Sequence, residues 1–545
     1  MPLNPHTNQS ELSDIRFLKN RLFLLIIRLS KFLRMKKSVL AFLYLLSFSS
    51  GVFAQTKERP NIVFIFSDDH AYQSIGAYGN KLARTPNIDR IAREGALLKN
   101  NLVTNSICGP SRATLLTGKY SHVNGYKNND RTKFDITQQL FPDLLQKSGY
   151  QTAWIGKLHL NSLPTGFDYW NILPGQGIYY NPEFITAPND TVRKQGYVAD
   201  LITESSLDWI NKRDEKKPFF LVVGQKSVHR EWHPDLQDLG AYDDIDFPLP
   251  ETFYDDYAGR AAAKDQDMSI EKTMRLKEDL KVHLDYDKVP GYKFFPDEKK
   301  KIFKDYYDKI TKEFDDKKLT GKALTEWKYQ RYIKDYLSTA NGLDRNIGKI
   351  LDYLDKSGLS KNTIVIYASD QGFYLGEHGW FDKRFIYEES LKTPFVIRYP
   401  GVIKPGTKVD QLVSNIDWAP TILDLAGTKI PEEIQGKSFV PLLDKNAKAN
   451  TPWRDAAYYH YYEFPDFHHV YPHFGVRTKR YKLVRFYGGA DSWELFDLEK
   501  DPRELKNVYA EKSNDAIVKS LKEKLKTLIV QYKDDEALTL FNNAK

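Results

Sequence analysis

The sequence predicts an α/β protein: a large, mostly parallel sheet sandwiched by helices, with a smaller C-terminal α+β subdomain. Three observations carry this. Short apolar runs rich in β-branched and aromatic residues alternate with longer helical patterns. These runs are apolar throughout rather than alternating, as strands covered on both faces are. After about residue 430 the texture changes to closely spaced strand patterns.

In order, the predicted strands are NIVFIFS (61–67), TAWIG (152–156), FFLVVG (219–224), TIVIYAS (363–369) and PFVIRY (394–399). Before the fourth run, Tyr336, Ala340, Leu343, Ile347, Ile350 and Leu354 recur in steps of three and four, which places them on one helix face. Residues 260–335 are dense in Lys, Asp, Glu and Tyr and read as a solvated helical insertion with i,i+4 ion pairs. The main domain is expected over 57–430. In 431–545, AAYYHYYEF, HFGVRTKRYKLVRFY and SWELFDL predict an antiparallel sheet, and a closing helix is expected after KDPREL.

The N-terminus reads as a targeting signal. MKKSVLAFLYLLSFSSGVFA, residues 35–54, has a cationic head, a short apolar core and small residues before a cut between Ala54 and Gln55. It reads as a secretory signal peptide, and residues 1–34 as a non-native upstream extension. Export to the periplasm or beyond is expected, with no stable membrane insertion. Residues 1–54 hold eight of the 80 Lys+Arg and two of the 72 Asp+Glu, so the exported chain has 72 against 70. The formal net charge of +8 belongs largely to the discarded segment and is no sign of nucleic-acid binding. One cysteine excludes an intramolecular disulfide.

In sheets of this kind, chemistry gathers beyond the carboxyl ends of the strands. SDDH follows the first run, KLH the second, QKSVH the third and SDQG the fourth. Asp68, Asp69, Asp370 and Gln371 would converge there. Three carboxylates and an amide oxygen repel one another unless a cation holds them, and an all-oxygen set favours Ca²⁺ or Mg²⁺ over zinc.

The single cysteine, Cys108, stands in CGPSRATLLTGKY. This stretch resembles the signature of the type I sulfatases of the alkaline phosphatase superfamily: Cys, any residue, Pro-Ser-Arg, then a short helix ending in Thr-Gly-Arg/Lys. The likeness extends to NIVFIFSDDH, GKLH, His229, SDQGFYLGEHGWFDKRFIYEES and ELFDLEKDP, covering essentially everything after residue 57. In that family a maturase oxidises the cysteine to formylglycine (3-oxoalanine), whose hydrate carries two hydroxyls on one carbon. One attacks sulfur; loss of the other's proton then expels sulfate, which avoids the slow second step of a serine ester.

The resemblance implies one calcium ion held by Asp68, Asp69, Asp370 and Gln371, with formylglycine at position 108 completing the shell. It implies that Arg112 steadies the hydrated aldehyde and that Lys157 and Lys383 neutralise the transferring sulfate. His159 would serve as the base and His229 as the acid for the departing sugar oxygen. The run of motifs, including GQGIYYNPEFI, looks most similar to bacterial polysaccharide sulfatases of the N-acetylglucosamine-6-sulfatase-like kind. Amino-sugar 6-sulfates and algal polymers such as ulvan are the two expected substrate classes. A phosphodiesterase or phosphonate hydrolase of the same superfamily is the alternative reaction. Sulfated sugars favour aromatic, His and Arg contacts, so Arg230, Trp232, His233, His378, Trp380, Arg384, His473 and Arg477 are candidates at the mouth.

Overall fold

The apolar runs become the centre of a ten-stranded sheet. The computed structural model describes residues 17, 19, 21–31, 59–129, 132–444 and 451–544. The expected signal peptide and its cut site lie outside the described residues. In the N-terminal unit, residues 21–31 are helical, with Leu22 to Ile26 and Leu29 exposed. Among the described residues, no helix is long and apolar enough to cross a membrane.

Residues 59–545 form the second unit. Its sheet contains β1 (Asn61–Ser67), β2 (Ala96–Leu102), β3 (Gln151–Lys157), β4 (Tyr169–Leu173), β5 (Glu183–Ala187), β6 (Asp190–Arg193), β7 (Phe219–Gly224) and β8 (Thr363–Ser369). The short pair β9 (Tyr374–Leu375) and β10 (Phe381–Asp382) stands apart, and β11 (Phe395–Arg398) and β12 (Thr407–Ser414) complete the sheet. The order is β12-β2-β11-β8-β1-β7-β3-β4-β5-β6. From β8 to β4 every pairing is parallel. The fifth predicted run, β11, is instead antiparallel to both β8 and β2, so the sheet is mixed.

Side-chain alternation divides β1 between two cores. Ile62, Phe64 and Phe66 pack with Leu115, Trp418 and Ile422 on one face. Val63 and Ile65 pack with Ile202, Leu343 and Ile347 on the other. Each such side chain contributes roughly 1.5–3 kcal/mol when fully buried, which explains why the runs are apolar at every position. The six residues expected on one helix face are all buried, on the helix Gly321–Lys356.

The charged segment is partly as expected. On the helix Asp297–Lys317, Lys301, Lys304, Lys309 and Lys312 pair with acids four residues on, while Phe303, Tyr307 and Ile310 face inward. Its predicted end at 335, however, falls inside the helix Gly321–Lys356, which continues unbroken to cover the sheet.

Strands β13 (Ala456–Tyr461), β14 (His473–Thr478), β15 (Tyr481–Phe486) and β16 (Trp493–Asp497) form the antiparallel C-terminal sheet. Leu521, Leu525 and Ile529 of the helix Asp515–Gln531 close over it. Tyr387 donates to Glu494 on β16 at 2.8 Å. Burial pushes the Glu494 carboxyl up to about 8, against the pull of Tyr387 and Arg260. An unfolded glutamate ionises at ~4.3, so the native state holds an extra proton between those values and loses stability as pH rises through them. Glu494→Gln should flatten that slope: between about pH 5 and about pH 8 its melting temperature should fall less than the wild type's, by ~2 °C or more. Parallel melting curves for the two proteins would refute it.

Candidate active site

The register of four neighbouring strands assembles the site. Ser67 on β1 pairs with Ser369 on β8, so Asp68-Asp69 and Asp370-Gln371 leave the sheet side by side. Gly224 on β7 pairs with Phe66 on one side and Gly156 on the other, which sets Lys157, His159 and the segment after Gly224 at the same edge. A Cβ on Gly156 would lie 2.1 Å from the Gly224 carbonyl oxygen, so only glycine lets the two strands approach here.

Cys108 begins the helix Cys108–Thr117, every residue of which is buried. Its motif has local reasons. A Cβ on Gly109 would stand 2.6 Å from the Tyr126 ring and 2.7 Å from Asn129 Oδ1, and the Gly109 N–H donates to that oxygen at 2.9 Å. Ser111 Oγ donates to the Asp370 carbonyl, and Arg112 donates to Asp370 Oδ2 from Nε at 3.1 Å and Nη2 at 2.9 Å. Arg112 Nη1 also reaches the Lys157 carbonyl at 2.9 Å, with the guanidinium 4.7 Å from the Phe66 ring centroid. The helix start is thereby tied to β8, β1 and β3 together.

Lys157 pairs with Asp68 and with Gln176 Oε1. Lys383 pairs with Asp69 at 2.8 Å, and Gln371 Nε2 donates to Asp69 and lies 3.7 Å from Cys108 Sγ. Lys383 sits between Asp382 and Arg384, both at positive φ (78° and 99°); Asp69 (59°) and His159 (56°) share that region. Such backbone is costly for non-glycine residues and collects where side-chain direction matters.

The charges do not balance evenly. Burial raises every carboxylate pKa here, but Lys157 and Arg112 outweigh it at Asp68, which is held well below the usual range. At Asp370, burial and the neighbouring Asp68 prevail over Arg112 and push it up. Burial opposes the charge on Lys383, yet Asp382 and Asp69 outweigh it and raise its pKa. Burial also pushes the Cys108 thiol up; at 0 % exposure it stays protonated at neutral pH and is a poor nucleophile as it stands. His159 and His229 are both pushed down, by burial and then by Lys157, so both imidazoles are neutral. His229 Nδ1 lies 2.5 Å from the Arg230 carbonyl and donates to it, leaving Nε2 as an acceptor 3.9 Å from Asp69 Oδ2.

The residues fit a hard cation. Asp68, Cys108 and Asp370 each offer a ligand atom within 4.8 Å of one another. Asp68 Oδ1 and Gln371 Oε1 are buried with no hydrogen-bond partner, as is His159 Nδ1. Buried oxygens are rarely left so, and a divalent ion would satisfy the two acid and amide atoms.

A cavity of about 810 Å³ is lined by His229 and by Gln176, the partner of Lys157. Five stretches of chain wall it: Gln176 to Tyr179; Lys226, His229 to Glu231 and His233; Asp267, Thr273 and Arg275 of the charged segment; Pro290; and Pro465 to His469 of the C-terminal region. A second cavity, of about 670 Å³, is lined by His159 together with Leu158, Leu160 and Asn161.

The structure brings Asp68, Asp69, Cys108, Arg112, Lys157, His229, Asp370, Gln371 and Lys383 together, with His159 beside them. It does not bring the expected sugar contacts. Trp232 is fully buried, its ring 4.6 Å from Tyr332 and 6.4 Å from Phe373. His378 is fully buried with Nδ1 2.6 Å from Asp255. His473 is spent at both nitrogens: Nε2 accepts from the Ile386 N–H at 3.1 Å, and Nδ1 faces the Tyr471 carbonyl at 2.8 Å. These three offer no surface to a sugar. Arg384 is nearly as enclosed, engaged by Glu463 and Tyr461, and Trp380 and Arg477 are buried as well. Arg230 and His233 do line the cavity. Missed by sequence reasoning were Gln176, Lys226, Asp267, Arg275, His468 and His469; the strand-end rule that found His229 pointed equally at Lys226.

Residues 60–428 match the Sulfatase family, and residues 376–531 match the N-sulphoglucosamine sulphohydrolase C-terminal family. The chain belongs to the sulfatase family. This enzyme is 46 % identical over 509 residues to an N-acetylglucosamine-6-O-sulfatase of Bacteroides thetaiotaomicron, covering 91 % of each chain. It is 27 % identical over 503 residues to an ulvan-active sulfatase of Formosa agariphila, covering 86 % of this chain and 78 % of that one. A solved structure of a protein with its substrate D-glucosamine-2-N,6-O-disulfate superposes with a TM-score of 0.85 at 45 % identity, over 88 % of this chain and 99 % of the other. The sulfatase is therefore a sulfuric ester hydrolase on the alkaline phosphatase-like fold, as the strand-end motifs imply.

Proposed function

We propose that this sulfatase removes the 6-O-sulfate from N-substituted glucosamine in glycosaminoglycan- or mucin-type saccharides, after export, as a step in polysaccharide breakdown. The observation that carries this is the 46 % identity across 91 % of both chains to an N-acetylglucosamine-6-O-sulfatase. The ulvan-active relative, at 27 %, supports an algal polymer far less.

Asp68, Asp69, Asp370, Gln371 and residue 108 would hold calcium, and position 108 would carry the formylglycine made by a maturase. Bound there, the ion would draw charge from the sulfate oxygens and the hydrated aldehyde would supply the attacking hydroxyl. Lys157 and Lys383 place two ammonium groups against the carboxylate floor and offset the charge of an incoming sulfate. Arg112 fixes the start of the Cys108 helix relative to Asp370. His159, neutral in its buried setting, is suited to take a proton. His229 is neutral with Nε2 free to accept; an anionic ester beside it counters the repulsion of Lys157, so the imidazole gains the proton it then gives to the sugar oxygen.

Two measurements test the reading. On a panel of defined sulfated saccharides with released sulfate measured, N-acetylglucosamine 6-sulfate should be turned over, and ulvan oligosaccharides or a phosphate diester should not. Faster release from ulvan would sink the amino-sugar assignment. His229→Ala should cost about 10²–10⁴ in kcat on the sugar ester, whose alkoxide leaves badly, and far less on an aryl sulfate. Equal losses on both would remove His229 from the acid role.

A further inference from the structure

Among the Lys and Arg side chains lining the large cavity, two are already neutralised. Arg230 donates twice to Asp279, from Nε and Nη2, each at 2.8 Å. Arg275 pairs with Asp279 at 3.2 Å and Glu231 at 3.1 Å. Lys226 differs. It is 3 % exposed, stands just beyond β7, and among the described residues makes no ion pair. Its Nζ donates to the Gln176 backbone carbonyl at 3.2 Å and lies 4.8 Å from the Tyr179 ring centroid.

Gln176 also fixes the distance to the reaction centre. Its side-chain oxygen accepts from Lys157, and its main-chain oxygen accepts from Lys226. The two ammonium groups thus sit on opposite ends of a single residue, one over the carboxylate floor and one at the cavity wall. A buried cation without a counter-ion is costly. Here burial, then Lys157, pulls the Lys226 pKa down to about 7, against the smaller opposing pull of Asp68, Glu231 and Asp69.

We propose that Lys226 selects substrates bearing a second anionic group, a sulfamate on the same sugar or a carboxylate on its neighbour, seated one residue's width from the scissile sulfate. This rests on the amino-sugar reading above and adds the feature of the substrate that the cavity reads. Lysine suits the task as a compact point charge with rotatable donors.

The test uses the full-length, matured enzyme as wild type, Lys226→Met and Lys226→Arg. The first comparison sets glucosamine-2-N,6-O-disulfate against N-acetylglucosamine 6-sulfate. The second sets a 6-sulfated disaccharide with a uronate neighbour against the same disaccharide with that carboxylate reduced. In Lys226→Met the kcat/KM ratio of doubly to singly anionic substrate should fall about tenfold or more, chiefly through KM, and Lys226→Arg should recover most of it. A fall in the first comparison assigns the sulfamate, and in the second the carboxylate. Ratios unchanged in both, whatever the absolute losses, overturn the assignment of Lys226. If the methionine variant fails to fold, an arginine variant whose ratios are at least as high as wild type supports the assignment, and one whose ratios collapse overturns it. Wild-type enzyme that hydrolyses an aryl sulfate but none of these sugars overturns the amino-sugar reading itself, and this inference with it.

Discussion

Cys108→Ser is expected to fold normally and to lose turnover by on the order of 10³-fold or more, on aryl and sugar sulfates alike. The substitution keeps size and polarity at the first position of a fully buried helix, so stability should change little. On the proposed mechanism it removes the precursor of a group with two exchangeable hydroxyls, whereas serine has one. The unmodified thiol is no substitute, because burial holds it protonated. The companion measurement is the mass of the peptide carrying residue 108 from active wild-type enzyme, which should correspond to an aldehyde. Near-normal rates in the serine variant, or an intact thiol in fully active material, would end the formylglycine assignment.

Removing calcium should have an effect of similar size. Chelation should abolish activity and calcium should restore it. A second readout does not depend on turnover at all. An ion that binds only the native state stabilises it by about 2.7 kcal/mol at a hundredfold excess over Kd, so the melting temperature should climb with calcium. Asp68 and Asp370 lie within reach of one ligand position, and Asp68 Oδ1 and Gln371 Oε1 have no hydrogen-bond partner. Asp370→Asn should therefore lose that calcium-dependent rise. Full activity and an unmoved melting curve after exhaustive chelation would count decisively against the carboxylate floor as a cation site.

How much of this was legible in the chain depends on what kind of constraint each residue obeys. The strands at 61–67, 219–224 and 363–369 read directly because a strand covered on both faces must be apolar at every position. The acids and lysines after them read well because polar residues at the end of such a run have few other reasons to be there. The antiparallel sense of β11 was not legible: a four-residue apolar run carries no direction. The sugar contacts failed for a related reason. Trp232, His378 and His473 are the residue types that bind sugars, but the same aromatic rings and ring nitrogens satisfy a core, and only neighbours such as Tyr332, Asp255 and Ile386 distinguish the two. The cavity wall was beyond reach because it is drawn from five separate stretches of chain, and Gln176 and His468 come to line one cavity only through the fold.

The pairing of β1 with β8 has a consequence for biosynthesis. Asp69 and Gln371 touch across 302 positions, and Asp69 and Lys383 across 314. A nascent or clipped polypeptide that stops short of Asp370 contains Cys108, Lys157, His159 and His229, yet only Asp68 and Asp69 of the acidic cradle. Competence therefore arrives late and all at once as the chain lengthens, and a premature stop leaves an inert fragment instead of a weak enzyme.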